Sequence, residues 1–408
     1  MKTSLQSSAD PRRIAAARLH RQLLVGKSPY DEAVDVVRAL CAVQSQDVAG
    51  AKWAVAMRSN GLTEAAVNAA LDRGEIVRAH VLRPTWHFVA AEDLRWMQKL
   101  TGHRVSRLLA SSNAKLGLTP AVLRKSHRVI ERALSQNGAL TRAELKSKLD
   151  DARIPTAGAQ RLAHLVMQAE VDALVCSGPQ RGKQSTYALL DERVKKSRDL
   201  NRDEALHELT VRYFASRAPA TVHDFAWWSG LTIAECKRGI SIAGTQLQQV
   251  NLDGKQYFVP PEFELPSKLP PSAHLLPNYD EYFIGLKDRS AYGQRIMGSA
   301  LVTGGNGLIT HVVIVDGQLA GTWRRFHEKG RTMLKFHLML KLKRAEKMRV
   351  KDAVARFAEY TGSEVAAAGL DEPDIETIAQ VVAPRPPSIA SSHDPTETRR
   401  AARAAVQK

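Results

Sequence analysis

Ala173-Leu174-Val175-Cys176 and Thr186-Tyr187-Ala188-Leu189-Leu190 are two apolar runs separated by Gly178-Pro179-Gln180-Arg181-Gly182-Lys183, and this stretch decides how the chain is read. Short apolar runs bounded by glycine and proline read as strands, and the loop between these two carries two basic side chains. Just before them, Ala163 to Val171 reads as a helix. Further upstream, Val122 to Leu134 reads as another, stopped at Asn137-Gly138. Between the two, Thr141 stands three residues ahead of Glu144. At that spacing a hydroxyl caps the amide three residues on, and the carboxylate returns to the threonine amide.

Three helices followed by a basic two-stranded hairpin make a winged helix, with the loop as wing, and the same order of elements recurs. From about Asp203 to Pro260 a helix over Glu204 to Ser216 is followed by Thr221, which caps the next helix with Asp224 three residues later. Strands over Leu247 to Val250 and Tyr257 to Val259 then flank Asp253-Gly254. A less regular first copy runs from Arg12 to about Val89. Prolines at 260–261, 266, 270–271 and 277 mark a long connection. Beyond it, Gly307 to Val315, Asp316-Gly317 and Gln318 to Trp323 form a hairpin signal of the Asp-Gly type. Met333 to Leu342 extends that sheet, and a helix over about Ala345 to Thr361 closes the pattern.

The expected fold class is therefore α+β: three tandem winged-helix modules followed by a small antiparallel β-barrel or sheet with a C-terminal helix. The divisions fall at 1–10 (unstructured), 11–118 (first module), 119–200 (second), 201–262 (third), 263–383 (connection and barrel-like part) and 384–408. The last is expected to be a disordered basic tail, because Pro384-Arg385-Pro386-Pro387 leads into polar residues and Arg399-Arg400 without apolar period.

The chain has 408 residues, of which 44% are hydrophobic, enough for several globular domains. It holds no apolar run of about 18 residues that would suggest a membrane span, and its start lacks a secretory apolar stretch. A soluble cytoplasmic monomer is expected. Three distant cysteines, Cys41, Cys176 and Cys236, argue against a disulfide framework and a closely spaced zinc site. No metal and no cofactor is implied. Lys and Arg number 59 against 42 Asp and Glu, a net charge of +17, with an isoelectric point near 9.9. Such a surface attracts polyanions, nucleic acid first, although solubilisation alone also accounts for basic charge.

Four separated segments narrow the reading: Leu40-Cys41-Ala42-Val43-Gln44-Ser45-Gln46-Asp47, Leu82-Arg83-Pro84-Thr85-Trp86-His87-Phe88-Val89, Asp224-Phe225-Ala226-Trp227-Trp228-Ser229-Gly230-Leu231 and Leu275-Leu276-Pro277-Asn278-Tyr279-Asp280-Glu281-Tyr282. In that order they resemble the winged-helix DNA glycosylases that remove alkylated guanines and unhook interstrand crosslinks. The likeness spans roughly residues 10–370. It implies a small barrel after the modules, double-stranded DNA carrying alkylated or crosslinked bases as partner, and two amides separated by one residue as holders of the hydrolytic water. Those amides carry over to Gln44 and Gln46. Ser45 departs from the pattern, since an apolar residue is usual there.

Alkylation at guanine N7 makes the base a cation, so it leaves as a neutral molecule and needs little general acid. What remains is an oxocarbenium-like sugar and a water to attack it. A glutamine carbonyl accepts a hydrogen bond from that water but cannot take its proton, so positioning carries the rate. Asp47 competes as general base, but Ser45 or Asp47 also reads as the cap of a helix beginning near Val48, the reading that spacing alone favours. Residues two apart do not share a helix face, so the glutamines converge only at a helix end or in a turn.

Arg83 and His87 flank Trp86 on an expected strand whose alternation puts Arg83, Thr85 and His87 on one face and Trp86 toward the core. Resemblance makes the first and last of these candidates for phosphate or cleft contacts, while a structural arginine and a buried histidine explain them equally. Asp280 is a candidate near the cleft, with a structural role as the alternative. Arg181, Lys183, Lys237, Arg238, Arg324 and Arg325 are candidates for phosphate contact along a positive track; Trp323 between them reads as core or as part of that track. The competing function is a non-enzymatic DNA-binding protein or transcription regulator, which has no need of the Gln44/Gln46 pair.

Overall fold

The computed structural model describes residues 6–7, 10–158, 160–295, 310–328 and 331–370. The first part comprises β1 (Gln6–Ser7), α1 (Pro11–Arg21), α2 (Ala33–Leu40), β2 (Val43–Gln44), α3 (Val48–Ala56), α4 (Glu64–Arg73), β3 (Ile76–His80) and β4 (Trp86–Ala90). The long α5 (Ala91–Lys115) leads to α6 (Pro120–Asn137), β5 (Leu140–Thr141), α7 (Arg142–Asp151), α8 (Arg161–Val171), β6 (Val175–Ser177), β7 (Thr186–Leu189) and α9 (Leu190–Arg193). Then come α10 (Arg202–Arg217), α11 (Val222–Ser229), α12 (Ile233–Ala243), β8 (Gln248–Leu252) and β9 (Lys255–Val259). The final part holds β10 (Ala273–Leu276), α13 (Glu281–Ile284), β11 (His311–Val315), β12 (Gln318–Glu328), β13 (Arg331–Leu338), α14 (Arg344–Thr361) and β14 (Val365–Ala368).

Two sheets repeat one arrangement. In each, a two-residue strand after the first of three helices pairs with the last strand of a closing hairpin, giving the orders β2-β4-β3 and β5-β7-β6. In the third sheet that short strand shrinks to a single bridge between Ala220 and Phe258. Gln6–Ser7, in a stretch expected to lack structure, pairs parallel with the free edge of β8. The local signals act as expected. Thr141 with Glu144 and Thr221 with Asp224 both close reciprocal caps, and Asn201 with Glu204 and Thr232 with Glu235 do the same. Asp253-Gly254 and Asp316-Gly317 turn their hairpins with both φ angles positive, the geometry that suits right-twisted strands.

Beyond Pro260 the sheet order is β10-β11-β12-β13-β14. The first three pairings are antiparallel, but β14 joins β13 parallel, which corrects the expectation of a purely antiparallel sheet. The cause is α14, which carries the chain back over the sheet so that β14 runs in the direction of β13. Gly307 to Ile309 and residues 384–408, read above as strand and as tail, lie outside the described residues.

The second unit has its own apolar core, built on Leu134, Leu145, Leu149, Leu165 and Val175. Elsewhere cores are shared along the chain. Trp53 of α3 packs 5.1 Å from both Phe357 and Tyr360 of α14 and donates its indole N–H to the Leu275 carbonyl at 2.7 Å. Polar bonds cross the same joint. Asp280 receives both terminal nitrogens of Arg58, at 2.7 and 2.8 Å, with both side chains fully buried. Its neighbour Glu281 accepts from Arg217 at 2.5 Å and from the Trp228 indole at 2.9 Å.

Removing one partner of such a pair strands the other charge away from water, whereas removing both leaves only packing to repair. Asp280→Ala is therefore expected to destabilise the protein by about 3–5 kcal/mol, and Arg58→Met with Asp280→Leu to recover most of that loss. Urea unfolding of the two variants against the native chain checks this.

Candidate active site

Gln44 and Gln46 lie where β2 runs into α3, a strand-to-helix junction rather than a helix. The restriction of a shared helix face therefore does not apply to them. Ser45 between them is fully buried, its amide bonded to the Trp86 carbonyl at 2.7 Å. Gln46 is half-buried, and its side-chain carbonyl faces the Trp86 amide at 3.5 Å. Gln44 is only 5% exposed. Its backbone N–H donates to Glu281 at 2.8 Å and its side-chain oxygen accepts from Arg83 Nη2 at 2.8 Å. An amide oxygen has a second lone pair, so the Arg83 bond fixes the carboxamide without exhausting it.

Asp47 caps α3 by accepting from the Gly50 amide at 3.0 Å. The cap reading of this residue holds, and its other oxygen remains turned outward, 3.6 Å from His311 Nε2.

Arg83 is not on a strand. β4 begins at Trp86, and residues 82–85 form a tight turn with Leu82 at φ +65°. Burial pushes the Arg83 guanidinium down to about 10, against the opposing pull of Glu281. Gly230, with φ +70° at the end of α11, lets this turn approach: a Cβ there would meet the Leu82 carbonyl at 2.3 Å. Only glycine meets both demands, which is how the Trp227-Trp228-Ser229-Gly230 segment and the Arg83 segment come to touch.

His87 sits directly opposite Gln44 across the β2–β4 ladder and is fully buried. Desolvation first, then Arg83, holds its imidazole well below the usual range, so it is neutral. Its Nδ1 lies 3.0 Å from the Thr85 carbonyl, which makes Nδ1 the protonated nitrogen. Asp280 belongs to the Arg58 joint described above and does not line a cleft.

Trp86 is half-buried, not core. The Arg78 guanidinium lies 4.2 Å from its ring centroid, the His80 ring is 4.3 Å away, and its indole N–H donates to Glu170 at 3.3 Å. Glu170 also pairs with His80, and Arg78 donates to the Ser45 carbonyl at 3.1 Å. The glutamine segment is thus held from one side by Glu281 and Arg83 and from the other by a layer resting on Glu170 of α8. The sequence reading missed Glu281 and Glu170. Glu281 stood in a quoted motif beside Asp280, but nothing local distinguished Glu170 from a surface acid.

The basic candidates divide by their partners. Arg181 bonds to Glu144 at 2.7 Å and to the Ala139 carbonyl at 2.6 Å, and Arg238 pairs with Asp203 at 2.7 Å. Lys183 and Lys237 project to solvent. Arg324 and Arg325 are exposed at the point where β12 leaves the core, and Arg324 stands directly opposite Lys335. Like charges opposed across a ladder cost stability, which a bound polyanion relieves. Trp323, just before them, is 2% exposed and so is core. Among the described residues no three His, Cys, Asp or Glu side chains converge on a point that would hold a metal ion, and no helix is long and apolar enough to cross a membrane.

A family model described as DNA glycosylase AlkZ-like matches residues 37–360. An interstrand DNA cross-link repair glycosylase of Streptomyces sahachiroi is 25% identical over 324 residues, which cover 76% of this chain and 87% of that protein. The solved structure of Streptomyces sahachiroi DNA glycosylase AlkZ superposes with a TM-score of 0.72 at 22% identity, covering 89% of this chain and all of that one.

Exposed lysines that hold phosphate contribute to the salt dependence of binding, and paired arginines contribute little. Lys183→Ala and Lys237→Ala are each expected to lower the slope of log affinity against log salt by about 0.9 on duplex DNA. Arg83→Met is expected to leave that slope unchanged. Fluorescence anisotropy titrations between low and moderate salt measure all three.

Proposed function

The chain belongs to the AlkZ-like DNA glycosylase family, and on that premise we propose that it hydrolyses the N-glycosidic bond of N7-alkylated purines, including those tied into interstrand crosslinks, with a water positioned by Gln44 and Gln46. The observation that carries this reading is the effort spent on one carboxamide. Gln44 receives Arg83 on its side chain and gives its backbone N–H to Glu281, and Glu281 is itself bonded to Arg217 and Trp228. A DNA-binding regulator has no use for an amide held this firmly.

The chemistry follows from the substrate. The positively charged base departs with the bonding electrons and becomes neutral, leaving charge on the sugar. A water hydrogen-bonded to the free lone pair of a glutamine carbonyl is aimed at the anomeric carbon, and alignment supplies the rate. Lys52, the lysine nearest the glutamines in sequence, is engaged by Glu64 and Asn68, so the reaction is read as monofunctional. The three helix-and-hairpin units are read as winged-helix modules on the divisions given above, with Lys183, Lys237, Arg324 and Arg325 holding phosphates in any sequence context. A base joined to the opposite strand cannot swing into a closed pocket, and an open groove suits it. The protein is proposed to act as a monomer on double-stranded DNA in the cytoplasm.

Incubation with duplex DNA carrying N7-methylguanine or a guanine–guanine crosslink, followed by hot alkali, is expected to cut the strand at the modified position. Gln44→Ala and Gln46→Ala should lower single-turnover release by 100-fold or more, roughly 3 kcal/mol or more of transition-state stabilisation, with DNA affinity changed less than about threefold. Borohydride should trap no adduct. Native protein that binds the duplex but releases no base from either substrate would leave only the DNA-binding role.

A further inference from the structure

Neither glutamine can take the proton that the attacking water must lose, and the buried His87 has no open path to it. The candidate that does reach solvent stands one residue further along the chain. Asp47 uses one carboxylate oxygen to cap α3 and turns the other toward His311 Nε2 at 3.6 Å. About 28% of the Asp47 side chain and 29% of the His311 side chain are exposed, against complete burial of His87.

His311 is held in place within its own sheet. It is the first residue of β11, and its ring stands edge-to-face on Trp323, its cross-strand partner, at 4.7 Å. Trp323 is in turn fixed by its indole N–H on the Leu276 carbonyl at 2.9 Å. The other side of the contact is equally tight. A Cβ on Gly50 would meet Asp47 Oδ2 at 2.5 Å and the Pro277 ring at 2.9 Å, so the start of α3 and the segment after β10 leave no room for a side chain between them.

We propose that His311, oriented by Asp47, accepts the proton of the hydrolytic water, making it a catalytic residue contributed by the β10–β14 sheet to a site otherwise built on the first unit. This inference rests on the glycosylase reading above. With the carboxylate facing Nε2, that nitrogen carries the hydrogen and Nδ1 carries the lone pair. The step balances. The bond between C1′ and the base nitrogen breaks with its electron pair going to the cationic purine, which leaves neutral. The water oxygen bonds C1′, and one water proton passes to His311 Nδ1. The resulting imidazolium lies beside Asp47 and returns the proton to solvent. A spacing slightly long for a hydrogen bond in the unbound protein is ordinary for groups that tighten on substrate.

The groups facing His311 keep it ready for this role. Burial lowers its pKa, Arg325 and Arg324 on β12 act in the same direction, and Asp47 opposes them. Tyr279 and Tyr360 lie near the Asp47 carboxylate and are themselves pushed upward, chiefly by burial. The imidazole is thus neutral at pH 7 and becomes unable to accept a proton only as pH falls through its lowered pKa.

The test is single-turnover release of N7-methylguanine from a duplex between pH 5 and 9, with affinity for the same duplex measured alongside. Native protein is expected to lose rate below about pH 6.5. His311→Asn is expected to lower the plateau by roughly 100-fold and to abolish that acid limb, with affinity within about threefold of native. Asp47→Asn keeps a good helix cap but removes the charge that raises the His311 pKa. Its acid limb should therefore move to lower pH. A His311→Asn variant that keeps the native rate, keeps the acid limb at a reduced rate, or loses affinity in step with rate would overturn the assignment to proton transfer. Native protein that releases no base at any pH would overturn the glycosylase reading itself, and this inference with it.

Discussion

The architecture depends on two carboxylates side by side. Asp280 and Glu281 are consecutive, fully buried, and committed to different arginines: Asp280 to Arg58 just after α3, Glu281 to Arg217 at the end of α10. Taking an ion out of water costs several kcal/mol, and the cost is recovered only when every oxygen and N–H finds a partner in good geometry. Here they largely do. Arg58 also reaches the Gln22 carbonyl and side chain and the Ala54 carbonyl, and Arg217 reaches the Leu40 carbonyl. A short segment between β10 and β11 thereby fastens the first and third units to the five-stranded sheet. The apolar clusters follow the same path, with Trp53 of the first unit packed among side chains of α14.

That joint is also where the site takes its shape. Glu281 spends one oxygen on Arg217 and the other on the Gln44 backbone amide, so the group that holds the units together also sets the height of the strand that carries Gln44. The opposite side of the strand rests on Trp86, Arg78 and Glu170. Glu170 comes from α8, the helix that in a free-standing winged helix would face a DNA groove. In this chain His164 to Val171 are all buried, so α8 supports the first unit instead of presenting its side chains to a duplex. The repeated sheet arrangement is therefore used differently along the chain, according to which faces its neighbours cover.

Electrostatics sorts the basic residues in a way that total charge does not. Arg18, Arg58, Arg217 and Arg289 are buried and bonded inside the molecule, so part of the +17 charge never meets a partner. The exposed remainder includes Lys183, Lys237 and the opposed Arg324 and Lys335, where side chains have room to reach a phosphate. Arg181 and Arg238 stood with them in sequence but are engaged by Glu144 and Asp203.

Local order was legible in the chain because it arises from neighbours. Thr141 with Glu144, Thr221 with Asp224, and the Asp-Gly turns at 253–254 and 316–317 each act over a few residues, so composition and spacing expose them. The glutamine pair was visible as a motif, and Asp47 as a cap. Three things were not legible. The strand over Arg83 to His87 began three residues late because the backbone turns at Leu82 to meet Gly230. The parallel pairing of β14 depended on where α14 returned the chain. The roles of Glu170, Glu281 and His311 depended on partners 84, 237 and 264 positions away in sequence, at Trp86, Gln44 and Asp47. Sequence by itself determined the helices, hairpins and caps and the identity of the chemically capable side chains. The tertiary structure alone decided which of those side chains face water and which face each other, because burial and pairing are set by contacts that close only when distant segments pack.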